Sequence, residues 1–336
     1  MAVIRLDAAT VLLQWSTGGL AFLWVTTRHR TVGIGYGWLL RGTYLLLAAV
    51  GLVLGLRVRT VVGRELGLAG VVLAALFALV VSVKRRRAGV SGQIADHDRR
   101  SAQVAAMTGI VRDGPEFAGL SPAVSSNGSA STERLAGLPS EARMSATSDA
   151  ERKGAIATKR SQSGSEKRGG SREFDPRLDL IAPFLGVIGL VFAGAASGGN
   201  PAVAITRALA GAAFLGAVSD AMLLGHWYLV QPGLPRKHIS ELVTWLARVW
   251  PIEVGLFLIP TGMISVFNGT INDGWHGLLG WMWIACSVLT IGLCFVTKAA
   301  LKEKEYSAVM AATGLLYLSI LTAFGTDLVA RAVLAG

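Results

Sequence analysis

Apolar runs about as long as a bilayer is thick recur along this chain, and basic residues flank many of them. A run of about 20 apolar residues can cross roughly 30 Å of hydrocarbon as a helix. Its backbone then bonds within itself, which a medium without water requires. Runs over 8–27, 38–56 and 67–83 come first, and Lys84, Arg85, Arg86 and Arg87 stop the third. Five more follow, over 178–197, 202–226, 251–267, 277–296 and 308–333. The chain is 52% hydrophobic with a mean hydropathy of +0.52. A water-facing fold of 336 residues could not bury that many long apolar runs. The expectation is an all-α integral membrane protein with about eight transmembrane helices.

Between the third and fourth runs the composition changes. Residues 88–176 are rich in Ser, Gly and Ala, with Phe117 and Phe174 as the aromatics. Such a segment buries too little apolar surface to offset chain entropy and reads as a disordered linker. The sequence thus divides into a three-helix membrane module (1–87), a linker (88–176) and a five-helix membrane module (177–336).

The formal charge is +11. In a soluble chain that would suggest nucleic acid. Here the bases flank apolar runs, where they set orientation and meet anionic lipid. The expected partner is the lipid bilayer of the plasma membrane, not nucleic acid. With Lys84 to Arg87 and the linker in the cytoplasm, Arg28, Arg30, Arg236, Lys237, Arg248, Lys298, Lys302 and Lys304 fall there too. Loops 198–201 and 268–276 carry neither Lys nor Arg, while Arg57, Arg59 and Arg64 run against the rule. An even number of crossings then leaves both termini outside.

Ionisable residues inside such runs are costly and usually mark a site or a pair. Asp220 continues a stripe of small residues, Ala204, Ala208, Ala212 and Gly216, at i+4 spacing, so it should face another helix. Glu253 follows Pro251, which suits the first turn of a span. Arg41 and His226 fall at similar predicted depth. Asp220, His226, Glu253 and Arg41 are therefore a candidate polar cluster near the inner face. Arg207, Asp327 and Arg331 form a candidate outer group, with Asp327 and Arg331 four apart on one helix. Gly51 and Gly55 form a GxxxG that permits close helix packing.

Trp227, Tyr228, Trp245 and Trp250 are expected as interfacial anchors. Over 236–250, Ile239, Leu242, Val243, Leu246 and Val249 share one face, while Lys237, Glu241, Thr244 and Arg248 share the other. That pattern reads as an interfacial helix able to dock a protein partner. The glycines of Thr31 to Gly37 lack the pore helix of a channel filter. They also lack the strand and Lys-Ser/Thr of a phosphate loop. They read as a turn.

Cys286 and Cys294 are the only cysteines. On one helix they lie about 12 Å apart, too far for a disulfide. A haem would need His226 with His29 as its axial pair; no cofactor or metal site is expected. No nucleophile elbow, HExxH or paired-aspartate motif is present, so the reading leans away from an enzyme. One function class is movement of a proton, ion or small solute through the five-helix module. Asp220 and Glu253 would be its switching groups, with Arg41 or Arg207 as counter-charges. A second is an accessory or assembly subunit of a larger, perhaps redox, membrane complex. A third is a lipid-handling enzyme using His226 and Asp220.

Overall fold

A computed structural model describes residues 7–85, 174–231, 234–259, 262–270 and 273–335. Apart from its last three residues, the 88–176 linker lies outside them, as does Pro232-Gly233. The described residues form helices joined by short connections, with no strand. The helices are α1 (Ala8–Thr27), α2 (Ile34–Val58), α3 (Val62–Lys84), a 3₁₀ turn (Pro176–Leu180), α4 (Ile181–Ala195), α5 (Pro201–Val230), α6 (Lys237–Leu258), α7 (Gly262–Phe267), α8 (Leu278–Ala300) and α9 (Tyr306–Ala335).

Among the described residues, seven helices are long and apolar enough to cross a membrane: α1, α2, α3, the 3₁₀ turn with α4, α5, α8 and α9. The chain is a membrane protein by this measure. The expected run 251–267 is not one helix. The amphipathic segment read as interfacial and the start of that run form the single helix α6, with Pro251 inside it. Pro251 has no N–H for the carbonyl four residues back, so one helical bond is lost, yet the helix continues. Its apolar face, Ile239, Leu242, Val243, Leu246 and Val249, is buried as the pattern requires. α6 carries Lys237, Glu241, Arg248 and Glu253, and α7 has only six residues, so neither adds to the seven.

The helices on either side of the linker belong to one compact unit; a second, His97–Glu173, lies wholly outside the described residues. Within the first unit, α1 packs on α5 and α3 on α4, so the two expected helical groups interleave. Small residues set these contacts. A Cβ on Gly18 or Gly216 would collide with the backbone of the facing helix, which locks α1 to α5 along the predicted stripe. Gly51 and Gly55 let α2 meet α1 and α3: a Cβ on Gly51 would press on Leu12, and one on Gly55 on the Glu65 carboxyl.

Capping fixes several helix starts. Asp7 accepts from Ala9 N, and Asn200 from Ala202 N with Pro201 following. Asp273, in the loop before α8, accepts from the backbone N–H groups of Gly277, Trp275 and Leu279. They hold its carboxyl below the usual range.

The body has two ends. Thr31 bonds His238, Arg28 pairs with Glu241 at 2.5 Å, and Arg236 bonds the carbonyls of Lys304 and Glu305. This is the Arg28 end. Asp7, Arg64, Ser197, Arg207, Phe257 and Arg331 line one pocket at the other, the Asp7 end. The chain therefore starts α1 and finishes α9 at the same end.

Candidate functional site

The four residues of the expected inner cluster do not meet. Arg41 on α2 is bound to a residue absent from that cluster, Asp179 in the 3₁₀ turn. Its Nε and Nη2 each donate to a carboxylate oxygen at 2.7 Å. Both side chains are almost fully buried, at 3% and 1% exposure. Nη1 also donates to Ser82 Oγ at 3.2 Å, and the Phe174 ring lies 4.5 Å from the guanidinium carbon. This is a saturated, bidentate pair with little freedom to change partners. Its signal was present in the sequence as an acid one residue into the 178–197 run.

Asp220 on α5 is fully buried, and its Oδ1 accepts from the hydroxyl of Tyr44 on α2. Its Oδ2 has no hydrogen-bond partner. Tyr36, also fully buried, is within electrostatic range. Next along α5, Ser219 accepts from Trp15 Nε1 at 2.7 Å. The Asp220 stripe does face a helix, but the carboxyl meets a phenol rather than a guanidinium. Tyr44 gave no signal of its own, because a tyrosine within an apolar run also reads as an ordinary aromatic.

His226 lies at the surface, and its Nδ1 is 3.2 Å from Tyr317 Oη. The histidine beside His29 is His238 instead, with ring centroids 5.8 Å apart. Burial and the neighbouring Arg28 push the His29 pKa down. Among the described residues no group of three or more His, Cys, Asp or Glu could hold a metal ion. Cys286 and Cys294 are free thiols.

The expected anchors divide. Trp245 is exposed, whereas Tyr228 is buried and donates its hydroxyl to the Pro235 carbonyl. The expected glycine turn is confined to residues 31–33, since Ile34 to Gly37 already belong to α2. Trp227 donates to Gln231 Oε1 at 3.0 Å and lies over this helix start, so that a Cβ on Gly35 would sit 3.0 Å from its ring. Trp250 donates to the Ser287 carbonyl at 2.9 Å, tying α6 to α8.

Glu253 falls elsewhere than expected. Because α6 begins at Lys237, Glu253 lies most of the helix away from the Arg28 end, and it joins the expected outer group. It is within electrostatic range of Asp327, Arg331 and Arg207. Arg331 donates Nε to both oxygens of Asp327, at 2.8 and 2.9 Å. Arg207 donates Nε to the Leu256 carbonyl at 2.7 Å and Nη2 to the Ile259 carbonyl. The Phe257 ring lies 6.0 Å from the Arg207 guanidinium carbon and 5.7 Å from that of Arg331, in cation–π range of both. Gln14 reaches in from α1, donating to the Ala208 carbonyl at 2.9 Å. Glu253 is 1% exposed; neither carboxyl oxygen meets an N–H or hydroxyl donor, and its carboxyl lies beside that of Asp327, close enough for the two to share a proton. The most concentrated set of buried ionisable groups thus lies at the Asp7 end, where helices α5, α6 and α9 converge.

No protein-family model, curated protein or solved structure matches the chain.

Proposed function

We propose that the chain moves a proton or small ion across the plasma membrane, with Glu253 as the switching carboxyl and Arg207 as its counter-charge. One observation carries this reading: Glu253 is buried among charges, yet its oxygens meet no N–H or hydroxyl donor, only the neighbouring Asp327 carboxyl. An ionised carboxylate left in that state costs several kcal/mol. A group that changes partner or protonation state during a cycle accounts for such an arrangement better than a static tie does. Arg41, already saturated by Asp179, drops out as a counter-charge. Asp220 stays as a second carboxyl, nearer mid-bundle.

The test uses the full chain in sealed vesicles under a potassium diffusion potential, with an enclosed pH dye. The intact protein should acidify or alkalinise the lumen, and Glu253→Gln should largely abolish the response at equal protein level. A Glu253→Gln protein that performs as well as its parent would sink the reading. The accessory-subunit alternative is favoured by the dry Arg41–Asp179 tie. It predicts no proton movement by the isolated chain and co-purifying subunits in native mass spectrometry.

The orientation follows the same proposal. α6 is about 33 Å long at 1.5 Å per residue, so with α7 it serves as an eighth crossing. Both termini then lie outside and the linker in the cytoplasm. In a background lacking Cys286 and Cys294, Ser197→Cys and Gly336→Cys should react with an impermeant maleimide from outside. Lys304→Cys should react only after permeabilisation. Labelling of Ser197→Cys and Gly336→Cys from opposite sides would overturn the eight-crossing arrangement.

A further inference from the structure

The pocket at the Asp7 end is lined by four arginines, Arg59, Arg64, Arg207 and Arg331, and by a single acid, Asp7. These guanidiniums are not equally committed. Arg64 is spent on Asp7 and on Glu65, the latter at 2.7 Å, and on the Arg59 carbonyl at 2.5 Å. Arg207 is held in place by two backbone carbonyls, which fix its position without neutralising its charge. Arg331 grips Asp327 through Nε, but its Nη2 is buried with no partner, on a side chain only 8% exposed. Arg59 is exposed at the rim and, among the described residues, bonds only the Ala196 carbonyl, at 3.3 Å.

Three guanidiniums with donors to spare therefore converge on one space. The cavity between them is about 50 Å³, several times the roughly 10–15 Å³ that one water needs, so a tetrahedral oxyanion fits. Guanidinium groups bind such oxygens in paired, charge-assisted bonds. We propose that this pocket is a binding site for a phosphate-class oxyanion, whether free phosphate or the phosphodiester of an anionic lipid headgroup. The anion supplies the acceptor that Arg331 Nη2 lacks and a charged partner for Arg207, whose hydrogen bonds go to backbone carbonyls. The site shares Arg207 and Arg331 with the proposed transport group but does not rest on it, because the measurement below reads binding and not transport.

The experiment uses the full chain stripped of lipid in a maltoside detergent. Inorganic phosphate is titrated by calorimetry, with sodium chloride at matched ionic strength as control. Phosphatidylglycerol is added in mixed micelles in a parallel series read by native mass spectrometry. Binding of inorganic phosphate supports a soluble anion, and binding of phosphatidylglycerol alone supports a headgroup; either upholds the site. Arg207→Gln should weaken that binding at least about ten-fold, and so should Arg59→Gln, whose exposed side chain spares the fold. Failure of both probes to bind the parent protein overturns the proposal. So does binding that Arg59→Gln and the Arg59→Gln, Arg207→Gln double variant leave unchanged.

Discussion

Arg41 and Asp179 show how a buried charge pair behaves when only half of it is removed. Both groups are out of water, and each oxygen of the carboxylate takes one guanidinium donor. Asp179→Ala strands the guanidinium and should cost about 3–5 kcal/mol, read from the unfolding midpoint in detergent. The double variant Arg41→Met, Asp179→Leu removes both charges together and should lie within about 1–2 kcal/mol of the parent. If the two proteins melt alike, the pair is not what holds the turn to α2. The costly residues themselves were legible, because an acid or arginine inside an apolar run stands out. Their partners were not. Asp179 is 138 positions from Arg41, and Tyr44 is 176 from Asp220, and no periodicity links such distant positions. Glu253 was misplaced for a different reason. Pro251 suits a first helical turn, so the sequence places the helix start there. It begins at Lys237, which puts Glu253 about 24 Å along α6.

At the scale of helices, small residues carry the packing. Without water there is little hydrophobic drive between helices, so close backbone approach and dispersion take its place. Gly18→Leu or Gly216→Leu should therefore prevent recovery of folded protein, since either side chain would have to occupy the opposing backbone. Gly292→Ala and Gly314→Ala meet open space and should raise stability by about 0.4–1 kcal/mol through the less flexible unfolded chain. Equal melting of all four variants would contradict the packing described for α1 and α5. The stripe from Ala208 to Asp220 was readable because i+4 spacing needs no knowledge of the partner. That Gly18 of α1 is the partner was not readable, since α1 shows small residues without a comparable stripe. The apolar face of α6 was also readable, but not its length. A charged amphipathic turn that merges into an apolar one carries no boundary in its composition.

Across the described residues, charge is unevenly arranged. The Arg28 end holds scattered bases that meet single acids or carbonyls, while the Asp7 end gathers four arginines into one recess. The dissenting Arg57–Arg64 connection, which broke the orientation rule in the sequence, contributes two of those four. In the sequence its bases are an exception to the orientation rule; in the structure Arg59 and Arg64 line that recess.

The Arg41 guanidinium also acts as a clasp between the two flanks of the long inserted segment. It touches Ser82, near the end of α3, and it touches Phe174 and Asp179, where the described chain resumes. The described chain therefore stops and resumes at nearly the same point of the helical body, and closing a flexible chain between two such points costs only a closure entropy. That term grows logarithmically, by about 0.6 kcal/mol per doubling. Trimming residues 86–173 to a quarter of their length should stabilise the body by only about 1 kcal/mol. Severing the segment altogether should still let two separately expressed pieces, 1–85 and 174–336, find each other in the membrane. Split-protein recovery by affinity capture of one piece would reveal whether the helices assemble without a covalent tether.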